Sequence, residues 1–250
     1  PLIRGVVGLA NALVIGIKAI EFSGSIAYKE QDEKPMSKTA MAFSMGFALI
    51  LAIALFKFLP LFLTTVIGKV VTSVTENNFI FNLTDGLIRV GVFLIYVASI
   101  GLWKEMRRVY EYHGAEHKAI FAYEAGEEPT VENAKKYKPY HPRCGTSFLL
   151  IVMLISIMVF MLIPKDWTFA EKLLSRVLLI PAIAGISYEL LRFSAKAKNN
   201  PVIKAAILPG LLLQRLTVRE PDNSQIEVAV AALSEVLKLD SKTEGAAANA

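Results

Sequence analysis

Residues 144–164, CGTSFLLIVMLISIMVFMLIP, carry no charged side chain. A spanning helix needs about 20 mostly apolar residues, because the hydrocarbon core is about 30 Å thick and a helix rises about 1.5 Å per residue. This stretch therefore reads as a transmembrane helix. It sets the expected fold class: all-α, a polytopic integral membrane protein. Composition agrees, since 54% of residues are hydrophobic and the mean hydropathy is +0.47, more than one soluble core requires.

Three more segments fit the same template. Residues 39–67 are long enough to tilt or bend, with an irregularity expected at Lys57 and Pro60. Residues 83–103 place Asp85 and Arg89 one helical turn apart, where they can pair, and end in Trp103, suited to an interface. Residues 169–191 are interrupted by Arg176, Pro181 and Glu189. These four spans have short or sparsely charged connections at 68–82 and 165–168, whereas 104–143 holds Lys104, Arg107, Arg108, Lys118, Lys135, Lys136, Lys138 and Arg143. Lys and Arg beside helix ends mark the cytoplasmic side, so the sequence predicts that 104–143 and both termini face the cytoplasm of a bacterial inner membrane. The net charge of +5 is spent on these flanks, with no basic run interleaved with aromatics, so a nucleic-acid partner is not expected. A single cysteine precludes an intrachain disulfide. No charged n-region followed by a small-residue cleavage site is visible, so no signal peptide is expected.

Two further apolar stretches read as non-spanning. Near the start, Arg4, Asn11, Lys18 and Ser25 recur every seven residues along one helical face, which predicts a helix lying in the interface. The competing reading is another span, packed closely through Gly5, Gly8 and Gly16. Residues 201–216 are cut by Pro209-Gly210 into two short pieces, re-entrant or interfacial. The expected organisation is one membrane domain over 1–216, a small amphipathic cytoplasmic helix over 217–240 with a capping box at Ser224 and Glu227, and a disordered tail over 241–250.

The chemistry is concentrated between residues 113 and 144. The chain has three histidines and one cysteine, and His113, His117, His141 and Cys144 all fall there. His113 and His117 are four apart in YEYHGAEHKAIFAYE, residues 110–124, which reads as a helical continuation of the second span. On a helix they lie about 40° apart on one face, able to grip one metal ion. Glu116 precedes the second histidine and completes HxxEH, the reverse of the zinc-peptidase HExxH, in which the glutamate is the general base. Zinc wants at least three protein ligands, and His141 and Cys144, in HxxC spacing, are the remaining candidates. Glu124 and the intramembrane Glu189 are candidates for supporting the ligands, and Arg192 could instead neutralise Glu189.

PLIRGVVGL, EYHGAEHKAIFAYE, HPRCGTSFLLIV, ISYELLRF and PGLLLQRLTVREPDNSQIEVAVAAL together resemble the bacterial YqhQ-like family, over nearly the whole chain. The family is a membrane domain of unknown function described as a predicted metal-dependent enzyme. The resemblance implies metal dependence and a further polar, Gly-rich segment ahead of Pro1, but no reaction or substrate.

Two functions of different class follow. One is a zinc-dependent membrane-surface hydrolase, with three ligands drawn from His113, His117, His141 and Cys144, and Glu116 activating water toward a membrane-proximal peptide or a lipid-linked substrate. The other is a transport or scaffold protein in which all four groups close around a structural zinc. A Cys144 nucleophile with His141 as base is a weaker third, because it leaves the helical pair unexplained.

Overall fold

The computed structural model describes residues 2–30, 37–142, 144–164, 166–196 and 201–248. Arg143 and part of the tail lie outside these residues, as do the side chains of Arg4, Arg192 and Lys204. Among the described residues the regular structure is all helical, with twelve α-helices, one π turn and no strand. They are α1 (Leu2–Glu30), α2 (Lys38–Ile53), α3 (Leu59–Val70), α4 (Thr72–Glu76), α5 (Asn78–Ile100), α6 (Lys104–Glu124), α7 (Val131–Lys135), α8 (Gly145–Phe160), α9 (Phe169–Leu178), α10 (Ile180–Lys196), α11 (Pro201–Thr217) and α12 (Asn223–Ala248).

Three helical stretches are long and apolar enough to cross a membrane: Gly5–Ala27, Thr39–Val70 and Asn78–Ile100. A fourth is α9 with α10, bent by 43° at the break. Two of these assignments correct the sequence reading. The first stretch, expected in the interface, has the length and composition of a span. The charge-free stretch 144–164 forms a helix of only 16 residues. Its end tightens into turns through Leu162 N–H to Val159 and Ile163 N–H to Phe160, ahead of Pro164. Hydropathy measures composition and is blind to where a helix is cut.

The chain divides into two compact units, Pro1–Leu94 with Ile151–Ala197, and Ile95–Leu150 with Lys198–Ala250. These boundaries differ from a single domain over 1–216. In the first unit α1 packs against α10 by close backbone approach. A Cβ on Gly5 would sit 2.8 Å from the Gly185 carbonyl oxygen, and one on Gly8 would touch the Tyr188 ring. Small residues let helices approach closely without a hydrophobic driving force between them, as spans require. Between α2 and α3 the helix continues through a five-residue π turn, Ala54–Phe58, which contains Lys57 and precedes Pro60. The expected irregularity is therefore a π turn, which absorbs the proline without ending the helix.

In the second unit α6 is a new helix. The chain turns at Gly101–Trp103, and Trp103 caps α6 in an extended conformation (φ −75°, ψ 138°), so α6 does not continue the preceding span. It ends at Gly126, whose φ of 77° is the left-handed geometry glycine adopts without penalty. Helix α11 runs unbroken through Pro209, contrary to the expected cut, and a Cβ on Gly210 would lie 2.7 Å from Ser147, so tertiary contact sets the helix there. Helix α12 packs Ile226 against Ala115 and Ala134. Its capping box is Asp222 with Gln225, not Ser224 with Glu227: the Asp222 carboxylate accepts from Gln225 N–H and the Gln225 side chain accepts from Asp222 N–H, each at 2.9 Å. The helix is also longer than expected, reaching Ala248.

Candidate metal centre

Three segments of the second unit meet at one place. Helix α6 presents His113 and His117 one turn apart, their ring centroids 4.4 Å from each other. Pro139, His141 and Cys144 lie against them, Cys144 just before α8. The C-terminal turn of α11 and the residues after it close the third side. There the chain crosses α6 so tightly that a Cβ on Gly114 would lie 2.1 Å from the Arg219 carbonyl oxygen. Arg219 N–H donates to the Tyr110 carbonyl at 2.9 Å, and the buried Lys118 pairs with Glu220 at the same crossing. Glycine at 114, between the motif's two histidines, is thus a requirement of backbone contact.

The crossing orients the first histidine. His113 Nδ1 lies 3.1 Å from the Thr217 carbonyl oxygen, and His117 Nδ1 lies 2.6 Å from that of Pro139. A carbonyl accepts only, so each ring donates its Nδ1–H and turns Nε2 toward the space between them, where that nitrogen is a ligand lone pair in the neutral ring and a donor to the Cys144 sulfur in the protonated one. This is the way protein carbonyls fix the tautomer of metal-binding imidazoles. His113 Nε2 is 3.2 Å from Cys144 Sγ. Ligand atoms of His113, His117 and Cys144 all lie within 4.8 Å of one another, compact enough to hold a metal ion.

Electrostatics favour the ligand form of the thiol. Burial pushes the Cys144 thiol up, but hydrogen bonds from His113, His117 and Thr146 outweigh it and bring the pKa from 9.0 to about 5. Thr146 contributes its hydroxyl at 3.0 Å and its N–H at 3.4 Å from Sγ. His113 is raised: burial opposes its charged form, but the Cys144 contact, the Thr217 carbonyl and Glu116 favour it more.

His141 stands beside this trio. Its ring packs edge-on to Phe121 at 4.4 Å and lies 5.7 Å from that of His117, with Nε2 3.5 Å from a Glu124 carboxylate oxygen. Its backbone is held by Gln214, a residue that sequence reasoning passed over. The fully buried Gln214 amide accepts from His141 N–H at 2.8 Å and donates to the His141 carbonyl at 2.7 Å and to Ser147 Oγ at 2.9 Å. It thereby pins the segment that delivers Cys144.

A pocket of about 280 Å³ opens on the cluster, lined by His113, Glu116, His117, Glu124, His141 and Cys144, with Ile120 and Gly145. A second, mostly apolar groove of about 470 Å³ runs between α6 and α12 and shares Glu116 and Ile120 with it. Of the expected site residues, Glu189 is the one that lies elsewhere, on α10 in the first unit.

Fold and site define an all-helical protein with helices fit to span a membrane and a His–His–Cys cluster beside a glutamate. The chain belongs to the family described as Protein of unknown function (DUF1385), whose profile matches residues 1–239. It is 32% identical over 253 residues to "Uncharacterized protein YqhQ" of Bacillus subtilis (strain 168), covering 98% of this chain and 79% of that protein. No solved structure matches it.

Proposed function

We propose that this protein is a zinc-dependent hydrolase working at the surface of the bacterial cytoplasmic membrane, with His113, His117 and Cys144 as ligands and Glu116 as general base. The observation that carries the reading is the convergence of three ligand atoms within 4.8 Å, two of them on imidazoles aimed by backbone carbonyls, in a pocket that Glu116 also lines. Three protein ligands with room beside them suit catalysis, whereas a closed set of four suits structure. His141, with Nε2 toward Glu124, fits a role next to the ligands, as a proton donor or acceptor for the leaving group. When bound, zinc supplies Lewis acidity toward a carbonyl or a water in the open position. Glu116 takes the proton of the attacking water, and the Thr217 and Pro139 carbonyls hold the two imidazoles in place. The shared wall of the apolar groove suits a substrate with an apolar portion, a membrane-proximal peptide or a lipid-linked molecule. Residues 104–143 and both termini face the cytoplasm in this reading.

Purified, chelator-free protein is expected to carry about one zinc per chain. Glu116→Gln should keep that zinc while function, read as complementation of a deletion strain or turnover of an identified substrate, falls by about 100-fold or more. Metal-free protein, or a zinc-loaded Gln variant as active as the parent, overturns the mechanism. A cysteine placed at Lys136 should resist an impermeant thiol reagent added outside intact cells, and labelling there would reverse the orientation.

A further inference from the structure

The first unit buries more positive charge than it neutralises. Asp85 and Arg89 on α5 and Arg176 on α9 are each no more than 2% exposed. Asp85 pairs with both arginines, one carboxylate oxygen to each. Arg89 also donates to Ser156 Oγ at 2.8 Å and Arg176 to Asn82 Oδ1 at 3.0 Å. Lys57, on the π turn, completes the group. Its Nζ is 5.1 Å from the centre of the Phe160 ring, onto which Arg89 and Arg176 also project at 4.8 and 5.2 Å. Three basic side chains thus share one aromatic ring, and the two guanidinium groups share one carboxylate. Among the described residues Asp85 is the one acid within ion-pair reach of any of them.

Their depth is as notable as their number. Arg89 stands at the midpoint of Asn78–Ile100, Lys57 lies within a turn of the midpoint of Thr39–Val70, and Arg176 is one turn before the 43° break between α9 and α10. If these stretches span, the cluster sits near the centre of the bilayer, where an unpaired charge is most costly and ionisable residues mark sites of function. A π turn and a broken helix at that level are the irregularities that membrane ligand sites use. The donors left over agree. Both arginine Nε atoms are buried without a hydrogen-bond partner among the described residues, and Lys57 makes no ion pair among them.

We propose that Lys57, Arg89 and Arg176 form a binding site for a small phosphate-class oxyanion within the first unit, with Asp85 as the internal counter-ion that competes for it. Guanidinium groups match tetrahedral and planar oxyanions with paired N–H donors, and Lys57 adds a point charge. Mid-depth placement selects a free ion over a lipid headgroup, which lies at the bilayer surface. The site is separate from the His–His–Cys cluster and does not depend on its chemistry.

The test uses the full chain in phosphatidylcholine nanodiscs, titrated with radiolabelled orthophosphate. Saturable binding is expected. Lys57→Gln should weaken it about ten-fold or more, the loss of one charge-assisted contact, with helical content and zinc content unchanged. Asp85→Asn should act with the opposite sign and tighten it, because the competing carboxylate is gone. That reversal is something a purely structural ion-pair cluster would not produce. No saturable binding to the parent protein overturns the proposal. So does binding that Lys57→Gln leaves unchanged. Lys57-dependent retention of phosphatidylglycerol without orthophosphate binding would overturn the free-ion assignment in favour of a headgroup.

Discussion

The two units bury polar groups in opposite ways. In the second, His113, His117 and Cys144 are held by neutral partners, the Thr217 and Pro139 carbonyls and the Thr146 hydroxyl, with the Gln214 amide behind them. Each partner spends one face of a ligand and leaves the other toward a pocket. In the first unit the groups spend themselves on one another, Asp85 between Arg89 and Arg176, with charge left over. Neutral partners aim a donor atom. Charged partners lock each other, and whatever is left unbalanced must find a counter-ion. The first arrangement suits the proposed cation site and the second the proposed anion site.

The largest expected effect comes from unbalancing the locked unit. Asp85→Asn leaves two buried guanidinium groups without their counter-ion and should cost about 3–5 kcal/mol in reversible unfolding in detergent. Zinc content should be untouched, and its loss would show that the two regions are not independent. Gln214→Leu attacks the aimed unit from behind. It frees the His141 backbone and should weaken zinc binding by about 10–100-fold by competition with a chromogenic chelator, the usual cost of losing an orienting partner. An unchanged affinity would mean that α6 and Cys144 hold their geometry without that support. Gly5→Ala should cost about 1–3 kcal/mol by pressing on Gly185, whereas Gly16→Ala, with open space around it, should change stability by less than about 1 kcal/mol. Equal effects at the two positions would remove the packing argument for the first helix as a span.

The smallest effect is a matter of pH in zinc-free protein. The Cys144 pKa is depressed to about 5, so its contribution to stability is complete above the unfolded value of 9.0 and is lost as pH falls toward 5. His113 is raised, so its contribution is complete below its unfolded value of 6.5 and is lost as pH rises through the higher folded value. Thiolate absorbance should therefore persist down to about pH 5. A midpoint near the ordinary thiol value would show that the imidazoles do not hold the sulfur.

Much of this was legible in order along the chain. Helical periodicity put His113, Glu116 and His117 on neighbouring faces, because four residues make about one turn. The HxxC element brought the only cysteine to the same short region. Long apolar stretches announced membrane helices, although the one free of charge forms a helix of only 16 residues. The sequence could not say which of His141 and Cys144 joins the pair, since both sit in one short segment and the choice depends on how that segment lies against α6. Gln214 carried no signal either, being 73 residues from the backbone it holds.

Composition and local spacing, then, determined by themselves that this is a helical membrane protein with a compact group of metal-ligand residue types, because those properties depend on neighbours within a turn or two. Tertiary structure decided what spacing cannot encode. It set where helices are cut, as at Phe160 and Gly101, and where they are not, as at Pro209. It decided that the first apolar segment packs by its glycines, and that the Thr217 and Pro139 carbonyls fix the imidazole tautomers. It joined the buried Asp85, Arg89 and Arg176 with the half-buried Lys57 into one cluster. Each of these depends on groups far apart in the chain meeting in a dry interior, where an unmet hydrogen bond or charge is costly enough to choose among the helices the sequence allows.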